Sequence, residues 1–238
     1  MARIDLARTP PLLSALAWAC VLLSPLALYS AFVYAPSEAR MGIVYRIFYF
    51  HMPCAQAMYV GFGVCAAASV LYLMKRDPRF DAIAVAGAEL GMVFWTVTMI
   101  LGPLWGRKSW GVYWVWDPRL TSTLLAGMVY VSYLVLRSSR HIGEVERRFA
   151  AGLGIVGALT IPLIKYSVQR WRGTHPTVIS GEGGGLQGEM WHALIVCLVL
   201  VTLLCAALIW IRARFERTRQ QVEELELIAA ERGLLEEG

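Results

Sequence analysis

Two histidines and a cluster of tryptophans are the residues whose types and spacing point to chemistry. Trp105, Trp110, Trp114 and Trp116 fall within twelve residues, and Tyr113 lies among them. Tryptophan suits the headgroup level of a membrane, but a belt asks for about one or two per helix end. The excess predicts a flat aromatic platform, because indole faces stack and pack edge-on against other rings. Gly106 and Gly111 are expected to let the backbone approach closely. Arg107, Lys108 and Arg119 supply positive charge nearby. The ligand this implies is planar, apolar and carries carboxylates.

Of the four histidines, His51 lies in Phe-His-Met-Pro-Cys and His175 in Arg-Trp-Arg-Gly-Thr-His-Pro. Each alone reads as an ordinary polar residue. Two imidazoles on the platform's face make a stronger constellation, since imidazole is a common haem iron ligand and arginine suits propionates. Pro53 is expected to push Met52 out of the helical region, holding His51 at a helix entrance. His192, in Glu-Met-Trp-His, competes as a ligand, although its position favours a headgroup-level anchor. His141 is expected in a solvated loop on the other face.

These residues need elements to position them, and composition shows which kind. The 238 residues are 58% hydrophobic and 16% charged, with a mean hydropathy of +0.55. Soluble domains carry about 25% charged residues. Disorder, collagen and a disulfide scaffold are excluded. Six stretches reach the ~20 apolar residues a spanning helix needs: 11–34, 54–74, 82–103, 118–136, 149–168 and 190–211. None alternates with period two, which argues against a membrane β-barrel. The prediction is an all-α membrane protein, a bundle of six transmembrane helices. The first run is too long for a signal-peptide core and is expected to be a retained anchor, kinked at Pro25.

Six spans place both termini on one side. That side then holds 14 of the Lys and Arg residues against eight on the other, which makes the termini cytoplasmic. Segments 35–53, 104–117 and 169–189 fall outside, so His51, the tryptophans and His175 share a face. These outer segments exceed what connection requires. The expected organisation is a membrane domain over 1–212, with its tryptophan-rich segment at 104–121, and a charged cytoplasmic tail over 213–238. In that tail Val222, Leu225 and Ala229 can line one face of a short helix in a solvated extension, with a contact to a partner as the alternative.

Asp117-Pro118 reads as a helix start, with Asp as N-cap and Pro at the first helical position. A capping role alone predicts that Asn replaces Asp117 at little cost. Glu89 sits inside the third span, where a carboxylate usually faces a bundle interior. Packing is its expected role, and a haem or proton path the alternative. The five cysteines include no C-x-x-C or C-x-x-C-H, so neither a redox nor a zinc motif is present, and the chain is no c-type cytochrome. Nothing resembles a phosphate-binding loop or a nucleophile elbow. No nucleic acid is expected as a partner.

The run Trp110-Gly111-Val112-Tyr113-Trp114-Val115-Trp116-Asp117-Pro118-Arg119-Leu120-Thr121 resembles the WWD signature of haem-handling membrane proteins. With six spans, His51-Met52-Pro53 before span two and Trp-Arg-Gly-Thr-His after span five, the chain resembles the cytochrome c maturation protein C (CcmC) family over residues 10–212. The resemblance implies a non-enzymatic protein of the bacterial inner membrane that presents haem b on the periplasmic face. It implies transfer to a membrane-anchored periplasmic haem chaperone, with ABC transporter subunits and a small accessory membrane protein as partners. By the same resemblance His51 and His175 are the axial ligands of the haem iron, and Trp110, Trp114, Trp116 and Asp117 the platform; Trp105 and Arg119 are placed with them as haem-binding. The glycines of 169–189, Gly183-Gly184-Gly185 among them, depart from the pattern and imply a mobile loop beyond His175. Two competing functions remain open, a haem lyase and a transporter moving haem across the bilayer.

Overall fold

The structure is a computed structural model that describes residues 9–139, 142–171, 173, 175 and 186–232. The expectations for His141 and for Gly183-Gly184-Gly185 lie outside those residues. Six helices, each long and apolar enough to cross a membrane, follow one another: α1 (Pro11–Tyr29), α2 (Phe48–Lys75), α3 (Pro78–Trp110), α4 (Pro118–Arg137), α5 (Glu144–Trp171) and α6 (Gly188–Glu231). Among the described residues there is no β-strand, only an isolated bridge between Glu38 and Gly42. The expected all-α six-span bundle is what the chain forms. The end of the bundle that carries the tryptophan-rich segment is called the outer end below, and the opposite one the inner end.

Helices α2 and α3 run further at the outer end than their apolar stretches. α2 starts at Phe48, preceded by a 3-10 turn over Ile43–Ile47. Met52 is therefore helical and His51 lies inside α2, not at its entrance. Tyr45, Phe48 and Tyr49 cause this, because they are buried and pack on one another with ring centroids 5.2–6.0 Å apart. Pro53 lies inside the helix, past its first turn, and is accommodated there at the cost of one backbone hydrogen bond. α3 likewise passes Pro103 and ends at Trp110, so the first half of the tryptophan-rich segment is helix rather than loop. α1 accommodates Pro25 and closes in a π turn over Ser30–Tyr34.

Helices α2 and α3 pack almost backbone to backbone. A Cβ on Gly61 would lie 2.6 Å from the Gly91 backbone, and one on Gly87 would lie 2.7 Å from the Cys65 nitrogen. Small residues allow such approach between membrane helices, where dispersion replaces the hydrophobic drive. Next to this seam Phe62 of α2 stacks on Tyr130 of α4, with centroids 3.7 Å apart and planes 4° from parallel. The Tyr130 hydroxyl lies 3.2 Å from the Phe62 carbonyl and 3.0 Å from the Gly154 carbonyl of α5. Trp95 of α3 lies over Gly127 of α4 and donates its indole N–H to the Thr123 carbonyl at 2.8 Å. Together these fix α2 to α5 around one core.

The inner end is closed by ions rather than by apolar contact. The buried Asp81 carboxylate accepts from Arg137 and Gln220 at 2.9 Å each and pairs with Arg147 at 3.4 Å. Glu216, also buried, pairs with Arg212 at 3.0 Å. Arg212 in turn holds Glu89 through a hydrogen bond of 2.7 Å. Glu89 is thus a paired packing residue. The first turns of 213–231 continue α6 and are bonded to α3 and α4, because Glu216 and Gln220 find their partners there. Val222 and Leu225, further along, are exposed.

The α2–α3 seam makes a graded prediction. Gly61→Ala should lower the thermal stability of the detergent-solubilised protein, since overpacking costs about 1–3 kcal/mol. Gly63→Ala, where nothing lies within 4 Å of the added carbon, should leave the melting temperature unchanged. Equal melting temperatures for the two variants would contradict the close approach.

Candidate functional site

The outer end of α3 organises the site. Gly102, Gly106 and Trp110 are spaced four residues apart, which puts them on one helical face over a rise of about 12 Å. The His51 ring of α2 lies against Gly102, with Cε1 3.2 Å and Nδ1 3.7 Å from where a Cβ would sit. His51 Nδ1 is buried and has no hydrogen-bond partner among the described residues, as is true of Thr98 Oγ1 one turn below Gly102. One turn above Gly102, the Trp110 ring folds back over Gly106, where a Cβ would come within 2.4 Å of it. Trp110 then faces His175, with ring centroids 6.2 Å apart and planes at 60°. One face of α3 thereby carries an imidazole at each of two levels.

Gly111 stops the helix. It adopts φ +74°, and its N–H bonds the Arg107 carbonyl at 2.9 Å, a left-handed C-terminal cap that glycine suits. Both glycines of the strip therefore serve the protein's own geometry and not the approach of a ligand. Gly106 receives the Trp110 ring and Gly111 turns the chain. Beyond the turn, Trp114 and Trp116 meet edge to face at 5.7 Å. Trp116 is 77% exposed. Arg107 sits over the Tyr113 ring at 4.7 Å and donates to its hydroxyl. Trp105 stands apart, 6% exposed among Ala31, Tyr45, Tyr49 and Ala193.

Asp117 joins the strip to the loop after α5. Its Oδ1 accepts the Arg119 N–H at 2.8 Å and so caps α4 as expected. Its Oδ2 accepts the His175 N–H at 3.2 Å. The carboxylate is 4% exposed, and Gly173 makes room for it, since a Cβ there would lie 2.6 Å from Oδ2. Arg119 continues the connection. Its Nη1 is 3.2 Å from His175 Nδ1, its Nε bonds the Ile164 carbonyl at 3.4 Å and its Nη2 the Lys165 carbonyl at 3.2 Å. The structure thus brings Trp110, Asp117, Arg119 and His175 into contact, places His51 on the same face of α3, and sets Trp105 in the core. His192 is engaged elsewhere, with its Nδ1 3.2 Å from the Tyr34 hydroxyl.

The residues that reading the sequence missed are Gly102 and Gly173. The four-residue spacing of Gly102, Gly106 and Trp110 carries the signal, but only once α3 is allowed to pass Pro103. Gly173 has a weaker one, its place two residues before His175.

Six membrane-length helices that gather imidazole, indole and guanidinium groups at one end define a polytopic membrane protein. The chain belongs to the CcmC family, described as Heme exporter protein C, whose profile matches residues 4–228. It is 34% identical to Heme exporter protein C of Bradyrhizobium diazoefficiens over 229 residues, 95% of this chain and 87% of that protein. It is also 34% identical to a putative cytochrome c biosynthesis ccmC-like mitochondrial protein of Marchantia polymorpha, over 72% of this chain and 73% of that one. Heme exporter protein C of Escherichia coli K12 matches at 34% over 60% of this chain and 59% of its own.

The double use of Asp117 changes what its substitution should do. Asn can keep the cap through its carbonyl oxygen, but its amide then presents a donor to the His175 N–H. A buried polar group left unpaired costs about 1–3 kcal/mol. Asp77, which caps α3 in the same Asp-Pro-Arg sequence, is the comparison. Asp117→Asn should lower thermal stability and haem retention well below those of Asp77→Asn, which should match the unaltered protein. Indistinguishable Asn variants would reduce Asp117 to a simple cap.

Proposed function

We propose that this protein holds haem b at the periplasmic face of the bacterial inner membrane, with both termini cytoplasmic, and passes it to a membrane-anchored periplasmic haem chaperone during c-type cytochrome biogenesis. The observation that carries the reading is the single face of α3 that has His51 at Gly102 and His175 at Trp110. The donor set fits haem. His51 and His175 supply imidazoles for the iron, Trp110, Trp114 and Trp116 supply apolar faces, and Arg119 supplies charge for propionates. Asp117 acts by holding His175. Trp105 supports the platform from behind, through the core it shares with α1, α2 and α6.

Haem handling in cytochrome c maturation is the role that membership of the family supports, through relatives named for haem export and for cytochrome c biosynthesis. ABC transporter subunits are the partners that the family implies, and a small accessory membrane protein completes the assembly. The protein is a transfer module in this reading, with no turnover of its own. Movement of haem across the bilayer by this chain is the second reading, favoured by the description of the family as a heme exporter. Against it, the Glu89 carboxylate within the third span is paired with Arg212 of α6.

Purified with haem, the protein should give a six-coordinate, low-spin spectrum. His51→Ala and His175→Ala should each retain part of the haem, lose the low-spin form and regain it on addition of imidazole. Trp114→Ala and Trp116→Ala should lower haem content without changing ligation in what remains. His192→Ala should leave the spectrum alone. A changed spectrum in His192→Ala with an unchanged one in His175→Ala would move the second ligand to the head of α6.

A further inference from the structure

The contact between Arg119 and His175 does more than position a ring. A guanidinium has N–H donors and no acceptor. At 3.2 Å from Arg119 Nη1, His175 Nδ1 must therefore contribute its lone pair. A neutral imidazole that accepts at Nδ1 carries its proton on Nε2. In this arrangement neither nitrogen is open to a metal, since Nδ1 is occupied and Nε2 is protonated. Ligation through Nε2 would move the proton to Nδ1 and set N–H against N–H, and ligation through Nδ1 would need the guanidinium gone. By either route the contact must break first.

The other bonds of Arg119 show how it can break. Its three acceptors among the described residues are neutral, and their distances of 3.2–3.4 Å are long. The Ile164 carbonyl also accepts from the Ser167 hydroxyl at 2.9 Å, so it keeps a partner when Arg119 leaves. A carboxylate offers the guanidinium a bidentate, charge-assisted pair, roughly twice as strong as a neutral hydrogen bond.

Resting on the proposed haem site, we infer that Arg119 is a latch on His175: it withholds the imidazole until a carboxylate of the arriving porphyrin draws the guanidinium away. Ligation by His175 is then conditional on the porphyrin's carboxylates as well as its iron. Departure reverses the exchange. As the carboxylates leave, Arg119 recaptures Nδ1 and competes with the iron for His175, which favours handing the porphyrin on. Arg119 is in this respect a positioning residue that acts through His175.

The test compares two ferric porphyrins on the purified, haem-stripped full chain, ordinary haem and haem whose two carboxylates are methyl esters. Ordinary haem should give the low-spin form in the unaltered protein. The diester should bind but stay high-spin, matching its spectrum in His175→Ala, and should turn low-spin with added imidazole. Arg119→Leu should convert the diester to low-spin without imidazole. Because that variant also loses bonds to α5, a measurement without any change at Arg119 stands beside it. Nitrogen-15 NMR of the stripped protein labelled at histidine, with His175→Ala for assignment, should show His175 protonated at Nε2 and not at Nδ1. A low-spin diester complex in the unaltered protein, failure of the diester to bind, or a protonated Nδ1 in the stripped protein would each overturn the latch and leave the ligand assignment standing. A low-spin spectrum with ordinary haem that survives in His175→Ala would overturn the ligand assignment and the latch together.

Discussion

The outer site depends on one buried carboxylate. Asp117 gives one oxygen to the first turn of α4 and the other to the backbone of His175. The first bond fixes where α4 begins, and hence where the strip from Gly111 to Trp116 must end. The second ties the segment after α5 to that same point. Asp77 caps α3 with the same Asp-Pro-Arg sequence, yet Asp77 is half-buried and Asp117 is buried. Local sequence sets the cap in both places. The packing of Gly173 against the carboxylate and the His175 N–H it accepts make the second one a junction.

That junction is useful because the bundle beneath it is stiff. Glycine contacts bring α2 and α3 backbone to backbone, and the His51 ring lies against Gly102 at the outer end of α3. Tyr130 bonds backbone carbonyls of α2 and α5 from its place on α4, and Arg119 reaches the last turns of α5 nearer the outer end. At the inner end Asp81 and Glu216 gather arginines from α4, α5 and α6. Charges buried in this way stabilise only when each is paired, and here they fix the depth of α6 against α3. A binding site on short outer segments gains its precision from such a scaffold.

Much of this was legible in the sequence because it is local. The six apolar runs specify the spans. Asp117-Pro118 specifies the start of α4. What was not legible depends on distant partners. Pro103 and Pro53 read as boundaries, but α3 passes the first, and buried aromatic packing of Tyr45, Phe48 and Tyr49 starts α2 before the second. Gly106 and Gly111 read as room for a ligand, and the chain itself uses both. The tail beyond residue 212 read as solvated because no sequence period pairs Gln220 with Asp81, 139 positions away. The bond between Arg119 and His175 spans 56 positions and leaves no local trace.

The central claim is that the Asp117 carboxylate holds the backbone of His175 while it caps α4. Amide hydrogen exchange on the full chain tests this most directly, comparing the unaltered protein with Asp117→Asn. The amide of His175 should exchange faster in the variant by at least tenfold, about 1.4 kcal/mol of lost protection, while the amides of Arg119 and Thr121 stay protected because Asn still caps the helix. Unchanged exchange at His175, or equal loss at both places, would contradict the account.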